Sequence, residues 1–431
     1  MNCRIEVGFP EIVLTVGLLL IVISGLSGLA HGTVLSVSVL SVAAGMLLHA
    51  VGVLDVNPRD ESVVAIIELA LIFTLFSDGL VVERELLVRN IGPTARALVL
   101  AMPATMTLIA VAAKFLFSEL SWAEAFLLGA VLAPTDPVIT SAVVAAKNIP
   151  AKLRHVLNLE SGLNDGLALP FVLFFIVIAS HESGAGTEAA TLFGEAIIGG
   201  IIGFLIATLA GRAIHDMPGV GLTAKYEGVY ALGVGLAAFG LAEVTFGNGL
   251  IATFVAGIAL GVADRDTPDA FQDFNESVGA VLQTVTFFVF GALVVSIGVP
   301  TPVAAVAVLI LFTLFVARPV AITGSLVGSE LPRIQRRFLA WFGPKGVASM
   351  LFALFVLKSD VSEANLIFQL AALVILASII AHGLTDTVGA RWIERRLEPD
   401  AEAFQSGTAK TEANSSGIPG GQEDPDSVEG S

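Results

Sequence analysis

The sequence predicts an all-α, polytopic membrane protein of about thirteen transmembrane helices, built from inverted repeats and carrying two broken helices that cross. Three observations carry that prediction. Of the 431 residues, 55% are hydrophobic and 14% charged, and a mean hydropathy of +0.87 lies outside the range of soluble domains. Apolar runs near 20 residues long, enough to cross a bilayer as helix, recur thirteen times between polar breaks. Two of these runs, the fifth and the twelfth, are interrupted by proline and glycine at matching positions, as expected of the unwound helices that line transport sites.

The runs lie near 11–30, 33–53, 62–82, 93–117, 122–146, 155–180, 189–214, 224–245, 248–263, 278–298, 301–328, 338–357 and 366–388. Lys and Arg in the short loops set the expected orientation. With the amino terminus outside, Arg84, Arg89, Lys147, Lys152, Arg154, Arg212, Lys225, Arg265, Arg333, Arg336 and Arg337 all fall on the cytoplasmic side, with Arg391, Arg395 and Arg396 after the last span. The outer loops keep Arg4, Arg59 and Lys358. An odd count of six spans, one spacer and six more puts the two halves in opposite orientation. The break at Pro134 to Pro137 in the fifth span then corresponds to Phe342-Gly343-Pro344-Lys345-Gly346 in the twelfth.

Residues 1–397 read as the transmembrane domain. After Leu397 the composition turns to Glu, Asp, Ser, Gly and Pro, which bury too little surface to offset ordering entropy, so 398–431 is expected to be a disordered, acidic cytoplasmic tail. Met1 to Pro10 lacks a charged n-region followed by a small-residue cleavage site, and the first span is expected to stay. The single cysteine, Cys3, excludes an intramolecular disulfide and a Cys-cluster metal site. A net charge of −16 disfavours nucleic acid as a partner. Only seven of the 22 basic residues are lysine, a balance that fits either simple solubility of the exposed parts or a salt-rich setting.

Chemistry concentrates between Gly129 and Gly166. An ionised side chain at mid-bilayer costs about 2.5–3.5 kcal/mol on insertion scales, so Asp136, Glu160 and Asp165 in two neighbouring spans point to an ion site. Ser161 and Asp165 are four residues apart and share a helix face; Glu160 and Asn164 share the adjacent one. Hard cations such as Na+ take oxygen ligands, and Asp165, Ser161, Asn164 and the hydroxyl and freed carbonyls near Thr135 supply them. Protons compete for the same carboxylate. Asp136 is either a second ligand or a cap on the amides of the broken helix. Glu160 needs a basic partner, and Arg318 and Lys345 are the bases inside later spans; Lys345 is slightly favoured because the repeat brings its break across the fifth span and beside the sixth. For Lys345 the alternative is stabilisation by local carbonyls, and for Arg318 snorkelling toward an interface. Asp78 ends the apolar run of the third span and is either a third-span ligand or a carboxylate at the span end. Glu227 and Glu243 read as interfacial, and His382 as packed or hydrogen-bonded.

At these residues the chain resembles the sodium/proton antiporters of the monovalent cation:proton antiporter family, in the branch related to eukaryotic sodium/hydrogen exchangers. Thr135-Asp136-Pro137, Glu160-Ser161-Gly162-Leu163-Asn164-Asp165-Gly166, Arg318-Pro319 and Gly343-Pro344-Lys345-Gly346 stand in the family's order, over roughly residues 10–395. The resemblance implies a homodimer of thirteen-span protomers in a membrane, a scaffold, and a six-helix core that moves across it. It implies exchange of Na+ or Li+ for H+, with K+ as the alternative cation and no cofactor. Asp165 would be the shared cation and proton carboxylate, with Ser161, Thr135 and Asp136 completing the Na+ site, Asn164 holding the assembly and Glu160 paired to a buried base. The Asn-Asp pair resembles the electroneutral branch, one cation for one proton. Two departures stand out: many relatives carry arginine at Lys345, and many carry glutamate at the position of Ser77, one residue before Asp78.

Two rivals from other classes are weaker. An intramembrane aspartyl protease uses a Gly-x-Gly-Asp pattern, whereas this chain has Gly162-Leu163-Asn164-Asp165, and a prenyl-transferring enzyme needs a later acid where Ala168 and Leu169 stand. A cation channel also needs intramembrane oxygens, yet channels usually repeat a filter by symmetry, and this chain has one acid site.

Overall fold

In the computed structural model the described residues are 9–30, 36–53, 56–86, 92–136, 151–180, 185–216, 224–263 and 267–415. Pro137, Cys3, Arg4, Arg89, Lys147, Arg265 and the last sixteen positions, 416–431, lie outside them. Among the described residues every regular element is a helix, with no strand. The helices are α1 (Phe9–Ala30), α2 (Val37–Ala50), α3 (Glu61–Leu86), α4 (Gly92–Leu116), α5 (Trp122–Leu132), α6 (Ala151–Ser180), α7 (Ala185–Asp216), α8 (Ala224–Val244), α9 (Gly249–Ala263), α10 (Thr267–Ser296), α11 (Val303–Ser325), α12 (Arg333–Trp341), α13 (Val347–Lys358) and α14 (Ala364–Ser415). Eight of them are long and apolar enough to cross a membrane, five shorter apolar helices accompany them, and each of the thirteen apolar runs in the sequence holds one of these segments. Helix α14 extends to Ser415, past Leu397 where the composition changes. Extending a helix costs little once it is nucleated, and the Ala, Glu, Gln and Lys of 401–413 are helix formers.

Local sequence sets the element ends. Ser121 and Glu124 form a capping box at the start of α5, and Glu124 also accepts the Glu363 amide at 3.0 Å, tying that end to the start of α14. Asn248 and Glu243 cap α9 by accepting the amides of Ile251 and Gly249. Because lipid offers helices no hydrophobic reason to associate, packing rests on small residues. Ser38, Ser41, Val42 and Gly45 form the buried face of α2, and a Cβ on Gly45 would meet the Phe288 carbonyl of α10, just as one on Gly291 would meet that of Val42. The two backbones touch.

Helices α4 and α11 each contain one π turn, Ala97–Ala101 and Thr313–Ala317. A π turn inserts one residue into the helical register and re-aims the side chains beyond it. In α11 the first residue beyond the turn is Arg318, which is 5% exposed. It donates from both terminal nitrogens to the two carboxylate oxygens of Glu160 on α6, each at 2.8 Å, and from Nη2 to the Phe342 carbonyl after α12 at 3.2 Å. Glu160 is equally buried. The sequence slightly favoured Lys345 as this partner, and the structure assigns Arg318 instead: only a planar fork reaches both oxygens of a carboxylate at once. Nor does Arg318 snorkel.

One ion pair thus ties α6, α11 and the break of the twelfth span. Glu160→Gln and Arg318→Met are each expected to cost about 3–5 kcal/mol of stability, because each strands a buried charge, and the double variant to recover much of that loss. The same cycle run with Lys345→Met should be additive; thermal melting of the variants in one detergent reads both. On the other contact, Gly45→Leu is expected to lower the melting midpoint by the equivalent of about 1–3 kcal/mol or more, since a side chain there pushes α2 off α10.

Candidate ion site

The fifth-span helix α5 stops at Leu132, and Ala133 to Asp136 run on without helical structure. The twelfth span is helical to Trp341, open from Phe342 to Gly346, and helical again from Val347. These two breaks meet. The Asp136 amide donates to the Pro344 carbonyl at 2.9 Å, and Asp136 Oδ2 accepts the Val347 amide at 3.3 Å, which caps the start of α13. In return Lys345 Nζ donates to the carbonyls of Pro134 at 3.1 Å and Ala133 at 3.4 Å. Each break leaves backbone groups without helical partners, and each supplies the other with a charge of the matching sign. Of the two roles open for Asp136, the structure displays the cap. Lys345 takes the carbonyl-bound role, with carbonyls belonging to the opposite break.

Glycine is needed where the breaks cross. A Cβ on Gly346 would overlap the Asp136 carboxylate, and one on Gly343 would overlap the Arg318 guanidinium. The Lys345 amide donates to Ser378 Oγ of α14 at 2.9 Å. His382 Nδ1 lies 2.8 Å from the Ser378 carbonyl oxygen and 3.2 Å from its hydroxyl oxygen, while His382 Nε2 is 3.0 Å from the Trp341 carbonyl oxygen. His382 is therefore packed and hydrogen-bonded, as its sequence context suggested. Ser378 was not singled out in the sequence; its spacing four residues before His382 on one helix face was the available signal.

Helix α6 faces the crossing with consecutive polar positions. Asn164 locks onto Thr135 through two bonds, its Oδ1 accepting the Thr135 amide at 3.2 Å and its Nδ2 donating to Thr135 Oγ1 at 2.7 Å. Ser161 and Asp165 are 4% and 3% exposed. Asp165 Oδ1 is fully enclosed and accepts no hydrogen bond among the described residues. Asp78, Asp136, Lys345 and Glu160 all lie within electrostatic reach of it.

The third span joins the site. A Cβ on Gly162 would lie 3.2 Å from Asp78 Cγ, so α3 and α6 approach closely here, and Asp78 faces the polar stretch of α6 although it sits in the last turns of the apolar segment Glu61–Leu80. Ser77 and Asp78 line a cavity of about 290 Å³ together with Asp136 and part of α10. A carboxylate with no protein donor on one oxygen, fixed beside a hydroxyl, other acids and a neutralised ion pair, is suited to hold a hard monovalent cation or a proton in turn.

Known proteins resemble this chain in sequence and in fold. The family described as sodium/hydrogen exchanger, transmembrane, matches residues 18–389. The chain is 25% identical over 369 residues to the K(+)/H(+) antiporter NhaP of Alkalimonas amylolytica, covering 84% of this chain and 63% of that protein. It is 26% identical over 303 residues to the K(+)/H(+) antiporter NhaP2 of Shewanella oneidensis, covering 68% and 51%. The chain thus spans about half to just under two thirds of the length of these relatives. Its fold is similar to that of the sodium proton antiporter MjNhaP1 from Methanocaldococcus jannaschii at pH 8, with a TM-score of 0.70 at 19% identity, over 88% of this chain and 98% of that one. The family match extends over most of the sequence, and the chain belongs to the sodium/hydrogen exchanger family.

Proposed function

We propose that this protein exchanges a monovalent cation for a proton across the cell membrane, with Asp165 as the carboxylate that both occupy in turn. The observation that carries this reading is the enclosed Asp165 oxygen without a protein donor, beside a crossing where Glu160, Arg318, Lys345 and Asp136 are each engaged. Na+ or Li+ is the expected cation, held by Asp165, Ser161 and Thr135 with Asn164 positioning the threonine. Asp136 and Asp78 add negative potential rather than primary ligation, and the Glu160–Arg318 pair and Lys345 hold the frame. A second reading, exchange of K+, is supported by the names of the similar relatives from Alkalimonas and Shewanella.

Exchange of one cation for one proton is supported by the Asn164-Asp165 pair, which brings one acid rather than two: Asn164 is committed to Thr135 and carries no charge. The chain is proposed to act as a homodimer in the cell membrane, amino terminus outside and carboxyl terminus in the cytoplasm, on the distribution of Lys and Arg between its loops.

Asp165→Asn is expected to abolish cation-driven proton movement in proteoliposomes carrying a lumenal pH dye, while the protein elutes and melts like the wild type. Asp165→Glu should retain a reduced rate, because one added methylene displaces the carboxylate in a packed cluster. Undiminished exchange by the asparagine variant would remove Asp165 from the mechanism. Wild-type vesicles challenged in turn with Na+, Li+ and K+ should acidify or alkalinise with Na+ and Li+ at lower concentration than with K+. The reverse order would establish the K+ reading, and cation flux without proton movement would point to a channel.

A further inference from the structure

The cavity of about 290 Å³ beside the crossing has room for on the order of ten waters at liquid density, and its lining mixes polar and apolar side chains. Thr74, Ser77 and Asp78 of α3 and Asp136 of the fifth-span break line it together with the apolar Ala70, Phe73 and Val347. The share of the lining that belongs to α10 consists of Gly279, Ala280, Leu282 and Gln283. Among the described lining residues of α10, Gln283 alone carries a polar side chain, and it is half-buried.

A cation approaching Asp78 through this cavity sheds water on the side of α10. Glycine, alanine and leucine return nothing for it. The carboxamide oxygen of Gln283 is a hard, neutral acceptor of the kind that replaces hydration water on an alkali ion. Ion–dipole attraction strengthens as the ion shrinks and the oxygen comes closer, so one such oxygen favours Li+ and Na+ over K+. We propose that Gln283 is a specificity-determining residue, its carboxamide oxygen replacing water on the cation in the cavity that Asp78 also lines and weighting exchange toward the smaller alkali ions. This rests on the exchange reading above, and it assigns a ligand to a helix that contributes none of the acids.

The test compares wild type, Gln283→Leu and Gln283→Asn in proteoliposomes with Li+, Na+ and K+. Gln283→Leu is expected to raise the apparent KM about tenfold for Li+ and Na+ and about twofold for K+, at nearly unchanged maximal rate, since losing one hydrogen-bonding group to a charge has this order of effect. Gln283→Asn, which keeps the oxygen one methylene further back, should fall between. A second arm measures the rise in melting temperature of the same detergent-solubilised proteins with LiCl, NaCl and KCl against choline chloride, and the leucine variant should lose the Li+ and Na+ stabilisation selectively. An equal factor for all three cations, a fall in maximal rate alone, or unchanged cation stabilisation overturns the role of Gln283. Failure of wild-type exchange would overturn the antiport reading, with the melting arm still deciding whether Gln283 senses the ion.

Discussion

The reciprocal satisfaction of two interrupted helices is the constraint on which the rest of this structure depends. A helix broken inside a membrane exposes amides at one stump and carbonyls at the other, and hydrocarbon offers neither a partner. Here the fifth and twelfth spans solve this for each other. Asp136 accepts the first amide of α13 and Lys345 donates to the last carbonyls before Asp136, while a backbone bond from Asp136 to Pro344 fixes their spacing. Neither break is stable in that form without the other. Their contact in turn fixes where Thr135 stands, and therefore what Asn164 of α6 can hold.

Charge at the crossing is incomplete. Four acids, Asp78, Asp136, Glu160 and Asp165, share the region with two bases, Arg318 and Lys345. Glu160 is fully matched by the guanidinium fork, and Asp136 and Lys345 are each turned to backbone groups. The unmatched negative charge falls to Asp165 and Asp78, which face the space between α6 and α3. In the proposed exchange a mobile cation or proton would complete that balance, and the residues that hold the fold would also carry the transport chemistry.

Close backbone approach is the third element, and it works in two ways. At Gly45 and Gly291 it packs α2 on α10, a contact between helices that carry none of the acids. At Gly343 and Gly346 it leaves the volume that the Arg318 and Asp136 side chains occupy. A methyl group in either place competes with a functional charge rather than with another hydrocarbon.

Sequence alone determined the all-helical membrane class, the thirteen apolar segments, the two breaks and the acids of α6, because solvation by lipid acts on every segment independently and leaves its mark in composition and in the spacing of polar residues. It also identified Glu160 as needing a base. It did not choose the base: Lys345 lay on the right helix break by symmetry, and Arg318 looked like a residue near an interface. The π turn before Arg318 and the direction of its fork decided the pairing, and both depend on how helices 158 residues apart in the chain rotate against each other. Likewise, the choice between ligand and cap for Asp136, and between span end and site for Asp78, turned on which neighbour lay within about 3 Å. Only tertiary packing sets distances of that kind, since hydrogen bonds weaken steeply beyond about 3.5 Å, a fraction of the width of a helix.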